Sequence, residues 1–344
     1  MVEKKASDLH LSSDSVPHFR VDEKLIPCDY ESLSSEEIQN LLSGILSEDQ
    51  KKALERDLEL DMSFGIEKIA RFRANVFYQK GKIGVAIRAL PAKIMSFEGC
   101  GLPVNTMTEL CVKNKGLVLI TGATGSGKST TLAAMVEFIN NDRPVHIVTI
   151  EDPIEYLYSN KKAVIDQREV GRDTHSFSQA LKHVLRQDPD VILIGEMRDL
   201  VSIELALNAA ETGHLVLATL HTSDSAQTIN RIIDVFPQHQ QEQVRVQLSF
   251  VLNAVISQQL IPRASGSGRV LAFELLVLTP AVRSLIREQK IHQIYSVIQT
   301  SQKDGMKAMN HSLKELCQLG RIDYESALSR TNEVEDLKRM LKDL

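Results

Sequence analysis

An α/β fold is predicted for most of this 344-residue chain, and two observations predict it. Beyond residue 107, four short apolar β runs at 117–121, 146–150, 191–195 and 215–220 alternate with helical patterns. That alternation implies a parallel sheet with helices on both faces. The first run also leads into Gly122-Ala123-Thr124-Gly125-Ser126-Gly127-Lys128-Ser129, after which Thr130 to Val136 reads as a helix. Strand, glycine loop and helix in that order are the setting that a phosphate-binding loop requires. Glycines at 122, 125 and 127 let the backbone curl until successive N–H groups point at one anion, and the helix dipole favours that anion further. Lys128 is expected to reach the β/γ-phosphates, and the Ser129 hydroxyl to ligate Mg²⁺. The chain is therefore expected to bind ATP and Mg²⁺ through residues 122–130.

Bulk composition narrows the class. With 43% apolar residues, 25% charged residues and a formal charge of −5, the sequence is that of an ordinary globular protein large enough for two cores. A mildly acidic balance argues against nucleic acid as the main partner, because phosphate-backbone binding needs a basic surface; it leaves room for a local basic groove. No apolar run approaches the roughly 18–20 residues that span a bilayer, and residues 1–7 lack the apolar segment of a signal peptide. Cys28, Cys100, Cys111 and Cys317 show no C-x-x-C spacing, so free thiols are expected rather than zinc or disulfides. A cytoplasmic protein is the expectation.

The first 95 residues read as a small α+β domain. Asp8 to Ser12 alternates as a half-buried strand does, and Phe19 to Ile26 reads as a hairpin turning at Asp22-Glu23. Ser34 or Ser35 caps a helix carrying Ile38, Leu41, Leu42, Ile45 and Leu46 on one face. Strands are expected at 70–77 and 84–90. Glycines and a proline in Glu98 to Pro103 mark a hinge, giving domains at 1–97 and 107–344 joined by 98–106. The C-terminal third is expected to be mostly helical, with amphipathic helices over Gln241–Leu260 and Ala281–Glu288, a strand at 270–276, and a charged helix or frayed tail at 333–339.

Ligands of parallel sheets bind beyond the carboxyl ends of the strands, so the residues just past each run are a test of the phosphate-loop reading. After 146–150 come Glu151, Asp152 and Glu155; after 191–195 come Glu196 and Arg198; after 215–220 comes His221. Acids and a histidine thus arrive at the edge where the γ-phosphate and Mg²⁺ are expected. Glu196, following an apolar strand in the Walker B manner, is assigned to Mg²⁺ directly or through water. Glu155 lies past Pro153 on a turn and suits a base that orients the attacking water. His221 is placed to donate to a γ-phosphate oxygen. His214, seven residues earlier and roughly 23 Å away along an extended strand, is better placed for a helix or subunit contact.

Together the phosphate loop, the acidic box Thr149–Tyr156, the stretch Asp190–Asp199 and the histidine box from Thr212-Gly213-His214 to His221-Thr222 resemble the secretion-ATPase superfamily. Ala6–Ser12, Gln167-Arg168-Glu169-Val170 and Ala281–Glu288 narrow the resemblance to its type IV pilus retraction ATPases, the PilT family. That resemblance implies a PAS-like N-terminal domain, a RecA-like ATPase domain with a helical C-terminal part, and a homo-hexameric ring. It further implies coupling of ATP hydrolysis to pilus retraction and twitching motility, through a platform protein at the pilus base on the cytoplasmic face of the inner membrane. Arginines of the N-terminal domain would complete the site, at positions matched here by Arg71, Arg73 and Arg88. Arginine suits that task physically, since its planar donors neutralise charge on the γ-phosphoryl group. The Ala281–Glu288 helix would serve retraction rather than hydrolysis. Relatives usually carry a helix ahead of Ala6, and many have proline where Ala123 stands.

Extension and type II secretion relatives fit less well, because they usually carry a long extra N-terminal domain and a four-cysteine zinc insertion. A retraction-associated paralogue of the same size stays open as the nearer alternative. A nucleic-acid motor on a RecA-like core and a nucleotide-dependent scaffold without turnover are the rivals of other classes.

Overall fold

The structure is a computed structural model describing residues 1–4, 6–21, 24–66, 69–90 and 93–342. It divides into two compact units, Met1–Lys93 with Pro153–Leu157, and Ile94–Asp152 with Tyr158–Leu344.

In the first unit the elements run β1 (Asp8–Ser12), β2 (His18–Val21), β3 (Lys24–Pro27), α1 (Ser35–Ser43), α2 (Glu48–Asp57), β4 (Glu59–Ile66), β5 (Ala70–Gln79) and β6 (Lys82–Leu90). All strands pair antiparallel in the order β3-β2-β1-β6-β5-β4. The helix expected after Ser34 starts there for a local reason. Glu37 N–H donates to Ser34 Oγ at 3.2 Å while Ser34 N–H donates to Glu37 Oε2 at 2.7 Å, a reciprocal capping box. Ile38, Leu42, Leu46 and Leu54 pack on Met62, Ala74, Val76, Ile83 and Val85, which buries one face of the sheet. Side chains alternate along a strand, so Arg71, Arg73 and Arg88 all fall on the other face. β2 and β3 pair as the expected hairpin does, although its turn at Asp22-Glu23 lies outside the described residues. Helix α2 and strand β4 come in addition to the elements that the sequence predicts.

The second unit begins with two short helices, α3 (Phe97–Cys100) and α4 (Val104–Cys111), on either side of Gly101 and Pro103. They occupy much of the 98–106 stretch, and Phe97, Leu102 and Met107 are buried in the core of this unit. There follow β7 (Gly116–Thr121), α5 (Lys128–Asp142), β8 (His146–Glu151), β9 (Val164–Glu169), α6 (Phe177–Val184), β10 (Val191–Ile194), α7 (Leu200–Glu211) and β11 (Leu215–Leu220). The chain continues through α8 (Ser225–Asp234), α9 (Gln238–Val251), β12 (Leu252–Pro262), β13 (Arg269–Val277), α10 (Pro280–Arg287), α11 (Ile294–Thr300), α12 (Met309–Gln318), α13 (Tyr324–Leu328) and α14 (Val334–Leu341).

Seven strands form one sheet in the order β13-β12-β7-β11-β10-β8-β9, parallel except for the antiparallel edge strand β13. Its central strands are inaccessible on both faces: Leu117 to Ile120, Val191, Ile192, Ile194 and Leu215 to Ala218 have no exposed surface. Each such side chain contributes about 1.5–3 kcal/mol by leaving water, so the position of these strands, and of the loops at their ends, is strongly held.

One expectation is corrected. Gln241–Leu260 is not one helix, because α9 stops at Val251 and residues 252–262 form strand β12. Leu252, Ala254, Val255, Ile256 and Ile261 are buried on both faces of the sheet, and a strand covered on both sides has the same unbroken apolar texture as a buried helix. The terminal stretch resolves as helix α14, anchored by buried Leu337 and Leu341.

Candidate nucleotide site

The loop after β7 is shaped by its glycines. Gly122, Gly125 and Gly127 have φ of 139°, 80° and 93°, a region costly for any residue with a Cβ. At Gly122 a Cβ would also lie 2.3 Å from the Gln258 carbonyl oxygen and 2.6 Å from Ser126 Oγ. β12 therefore forms the back wall of the loop, fixed by Thr121 Oγ1 donating to Ser257 Oγ at 2.8 Å and by Gln258 Nε2 donating to Thr131 Oγ1 at 2.7 Å. Ala123, Thr124 and Gly125 are exposed, Ser126 is buried, and Gly127, Lys128, Ser129 and Thr130 are half-buried.

The sign of the field at the start of α5 fits a phosphate. Helices α1, α2, α6, α7, α8 and α10 each start from a Ser, Thr or Asp whose side chain accepts a first-turn N–H, whereas α4, α9, α11, α12 and α14 have no side-chain cap. The 15-residue α5 starts from Gly127 with no side-chain cap. The dipole of this helix favours an anion at its N-terminus. Lys128 Nζ donates to the carbonyls of Gly122 at 2.7 Å and Ala123 at 3.1 Å, which keeps the ammonium above the loop.

Glu196, Arg198 and His221 come together at the same edge of the sheet. The Gly195 N–H donates to Ile150 O at 2.8 Å, the Thr219 hydroxyl donates to Gly195 O, and the Met197 N–H donates to Thr219 O at 3.2 Å. These bonds tie the loop after β10 to the strands on either side. Arg198 Nη2 donates to Glu196 Oε2 at 2.8 Å, and His221 Nε2 lies 3.2 Å from Glu196 Oε1. Partial burial works to raise the Glu196 carboxyl, but the Arg198 hydrogen bond and the charges of His221 and Arg198 outweigh it and hold the group below the ordinary glutamate range. A carboxylate kept ionised and a hydroxyl at the second residue of α5, Ser129, are the hard oxygen donors that Mg²⁺ takes alongside substrate phosphates. The pairing role of Arg198 was missed, although its place two residues after Glu196 on a pinned loop was a usable signal.

Other expected site residues belong to other elements. Glu155 falls in Pro153–Leu157, the segment that groups with the N-terminal unit. Arg71, Arg73 and Arg88 are on the N-terminal sheet, where Arg71 Nη2 donates to Ser63 Oγ at 3.0 Å, Arg73 lies 3.8 Å from Asp61, and Arg88 Nε donates to Asp8 Oδ1 at 2.8 Å. His214, at the opposite end of β11 from His221, sets its Nδ1 3.0 Å from Ala209 O at the end of α7. In α10, Val282 and Ile286 are fully buried and Leu285 partly so, whereas Ala281 is exposed.

A parallel sheet whose central strand ends in a phosphate loop, with an acid and a histidine on the next strands, is the architecture of a P-loop nucleotide hydrolase. Residues 1–329 match the family described as Type II/IV secretion system protein, and the chain belongs to that family. It is 48% identical over 322 residues to the type IV pilus retraction ATPase PilT of Pseudomonas aeruginosa, covering 94% of this chain and 93% of that one. The type IV pilus ATPase PilU of the same organism is 39% identical over 342 residues, covering 99% and 89%. The crystal structure of the pilus retraction motor PilT with bound ADP superposes with a TM-score of 0.92 at 49% identity, covering 98% of this chain and 96% of that one.

Proposed function

We propose that this chain is the subunit of a homo-hexameric motor that hydrolyses ATP to retract type IV pili and so power twitching motility. It acts on the platform protein at the pilus base, on the cytoplasmic face of the inner membrane, and needs no nucleic acid. The observation that carries the reading is the convergence of residues 122–130, Glu196 and His221 on one sheet edge, in a chain nearly half identical to a retraction ATPase along almost its whole length.

The chemistry follows from the residues. Backbone N–H groups of 122–129 and the Lys128 ammonium hold the β- and γ-phosphates. Mg²⁺, when bound, neutralises charge on those phosphates. Ser129 and Glu196 would hold it, Glu196 directly or through water. His221, 3.2 Å from Glu196, would donate toward a γ-phosphate oxygen. Glu155 orients the attacking water, and Arg71, Arg73 and Arg88 supply donors to the charge developing on the transferred phosphoryl group. Movement of the N-terminal domain relative to the ATPase domain would turn ATP state into a change of shape.

The test is the mass of the particle with and without ATP, measured beside phosphate release. A hexamer that turns over equally with and without DNA is expected. A monomer, or turnover that requires DNA and falls steeply with salt, would overturn the reading. The higher identity to PilT than to PilU favours the retraction motor itself over its paralogue, and restored twitching in cells lacking their retraction ATPase would separate the two.

A further inference from the structure

The arginines of the N-terminal sheet lie in a row set by strand register. Asp8 on β1 faces Arg20 on β2 and Arg88 on β6, and Arg88 faces Arg73 on β5. Directly opposite side chains have Cβ atoms about 4.5–5.5 Å apart, and like charges so placed are destabilising. Three guanidinium groups therefore share a row with Asp8, and Asp61 lies 3.8 Å from Arg73, so positive charge still exceeds negative on this face and an added anion is favoured.

The manner in which Asp8 holds Arg88 is informative. The bond runs from Arg88 Nε to Asp8 Oδ1 at 2.8 Å, while Ser7 Oγ donates to Asp8 Oδ2 at 2.8 Å. Only 12% of the Asp8 side chain is exposed, against 65% of Arg88. The anchored end is buried and the two terminal nitrogens of the guanidinium stay outside the bond. Arg56 behaves differently with Asp57, spending Nε and Nη2 on both carboxylate oxygens at 2.7 and 2.6 Å. A forked pair of that kind consumes the edge that reads a planar anion; the Asp8 bond spares the two Nη groups for a phosphate.

We propose that Asp8 is a positioning residue for Arg88, holding the guanidinium by Nε so that its two terminal nitrogens are presented to nucleotide phosphate. This rests on the reading of Arg88 as part of the ATPase site. Arginine side chains carry large rotamer entropy, and an aspartate that fixes the head in advance lets the donors act without ordering them during the reaction.

A double-mutant cycle on the full chain tests this, with kcat, KM for ATP and thermal unfolding read for Asp8→Asn, Arg88→Ala and the pair. Arg88→Ala should lower kcat by about 10³-fold, the lower end for an arginine finger. Asp8→Asn should lower kcat about tenfold with KM unchanged and the unfolding midpoint only slightly lowered at neutral pH, and the double variant should be no slower than Arg88→Ala alone. If Asp8→Asn keeps full kcat, or its loss adds in full to that of Arg88→Ala, the positioning role is overturned while the reading of Arg88 stands. If Arg88→Ala itself keeps full kcat, that reading fails and the Asp8 role falls with it. Should Asp8→Asn not fold, Arg88→Lys decides. Lysine keeps the ion pair but lacks the fork, so it should be as slow as Arg88→Ala, and wild-type turnover in it would overturn the proposal.

Discussion

The two units place their polar chemistry in opposite parts of a sheet. In the second unit the strands are covered on both faces, so functional groups sit only beyond strand ends, where Gly122–Thr130, Glu196 and His221 are found. In the first unit only one face is covered by helices, and Asp8, Arg88, Arg73 and Arg71 stand in mid-strand on the other. Strand-end chemistry is made by contiguous residues and shows itself as a motif. Face chemistry is made by register, between residues far apart in the chain, and shows itself only once strands are paired.

The largest expected effect on nucleotide affinity tests the strand-end half of that contrast. Lys128→Ala removes the ammonium facing the β/γ-phosphates, and hydrogen bonds to charged groups are worth about 1.5–3 kcal/mol each, so ATP affinity by calorimetry should fall about 100-fold. Unchanged affinity would move the phosphates off this loop. A middle-sized effect is expected for Gly122→Ala, where the new Cβ would meet the Gln258 carbonyl at 2.3 Å. Strain of that kind costs about 1–3 kcal/mol, read as a lower urea midpoint of the second unit with weakened nucleotide binding; a variant as stable as the parent would show that β12 is not a rigid wall. The smallest effect on stability belongs to the sheet face. Burial works to raise the Asp8 carboxyl, but the Ser7 hydroxyl and Arg88 outweigh it and hold it below the ordinary aspartate range. A lowered native value means stability that is present above the unfolded aspartate value and lost as pH falls through the native one. A small stability gap between wild type and Asp8→Asn should therefore be present at neutral pH and close as pH falls below the ordinary aspartate range. A gap that widens on acidification would break the pairing account.

How legible each part was depends on the same physics. The phosphate loop, the four central strands and the capped helix after Ser34 are local, and residues adjacent in sequence specify them. Strand β9, Val164–Glu169, is half polar because it lies at a sheet edge, and it offered no apolar run to read. Helix α2 buries only Leu54, so its sequence carries no stripe. Strand β4 did alternate, with Leu60, Met62, Phe64 and Ile66, and that signal was overlooked. At the site, Glu196 and His221 could be brought to one edge by strand direction alone, whereas the bond between Asp8 and Arg88 spans 80 positions and no local pattern announces it.

The passage from α9 to β12 has a mechanical consequence. Val251 ends the helix and Leu252 begins the strand, with no residue of loop between them. Connecting loops ordinarily absorb the movement of one element before it reaches the next. Here the irregularity at the junction is at Asn253, where the pairing of β12 with β7 shifts register. Beyond it the paired strand runs on to the Gln258 carbonyl, the wall against which Gly122 rests, so the end of α9 and the phosphate loop share one continuous strand.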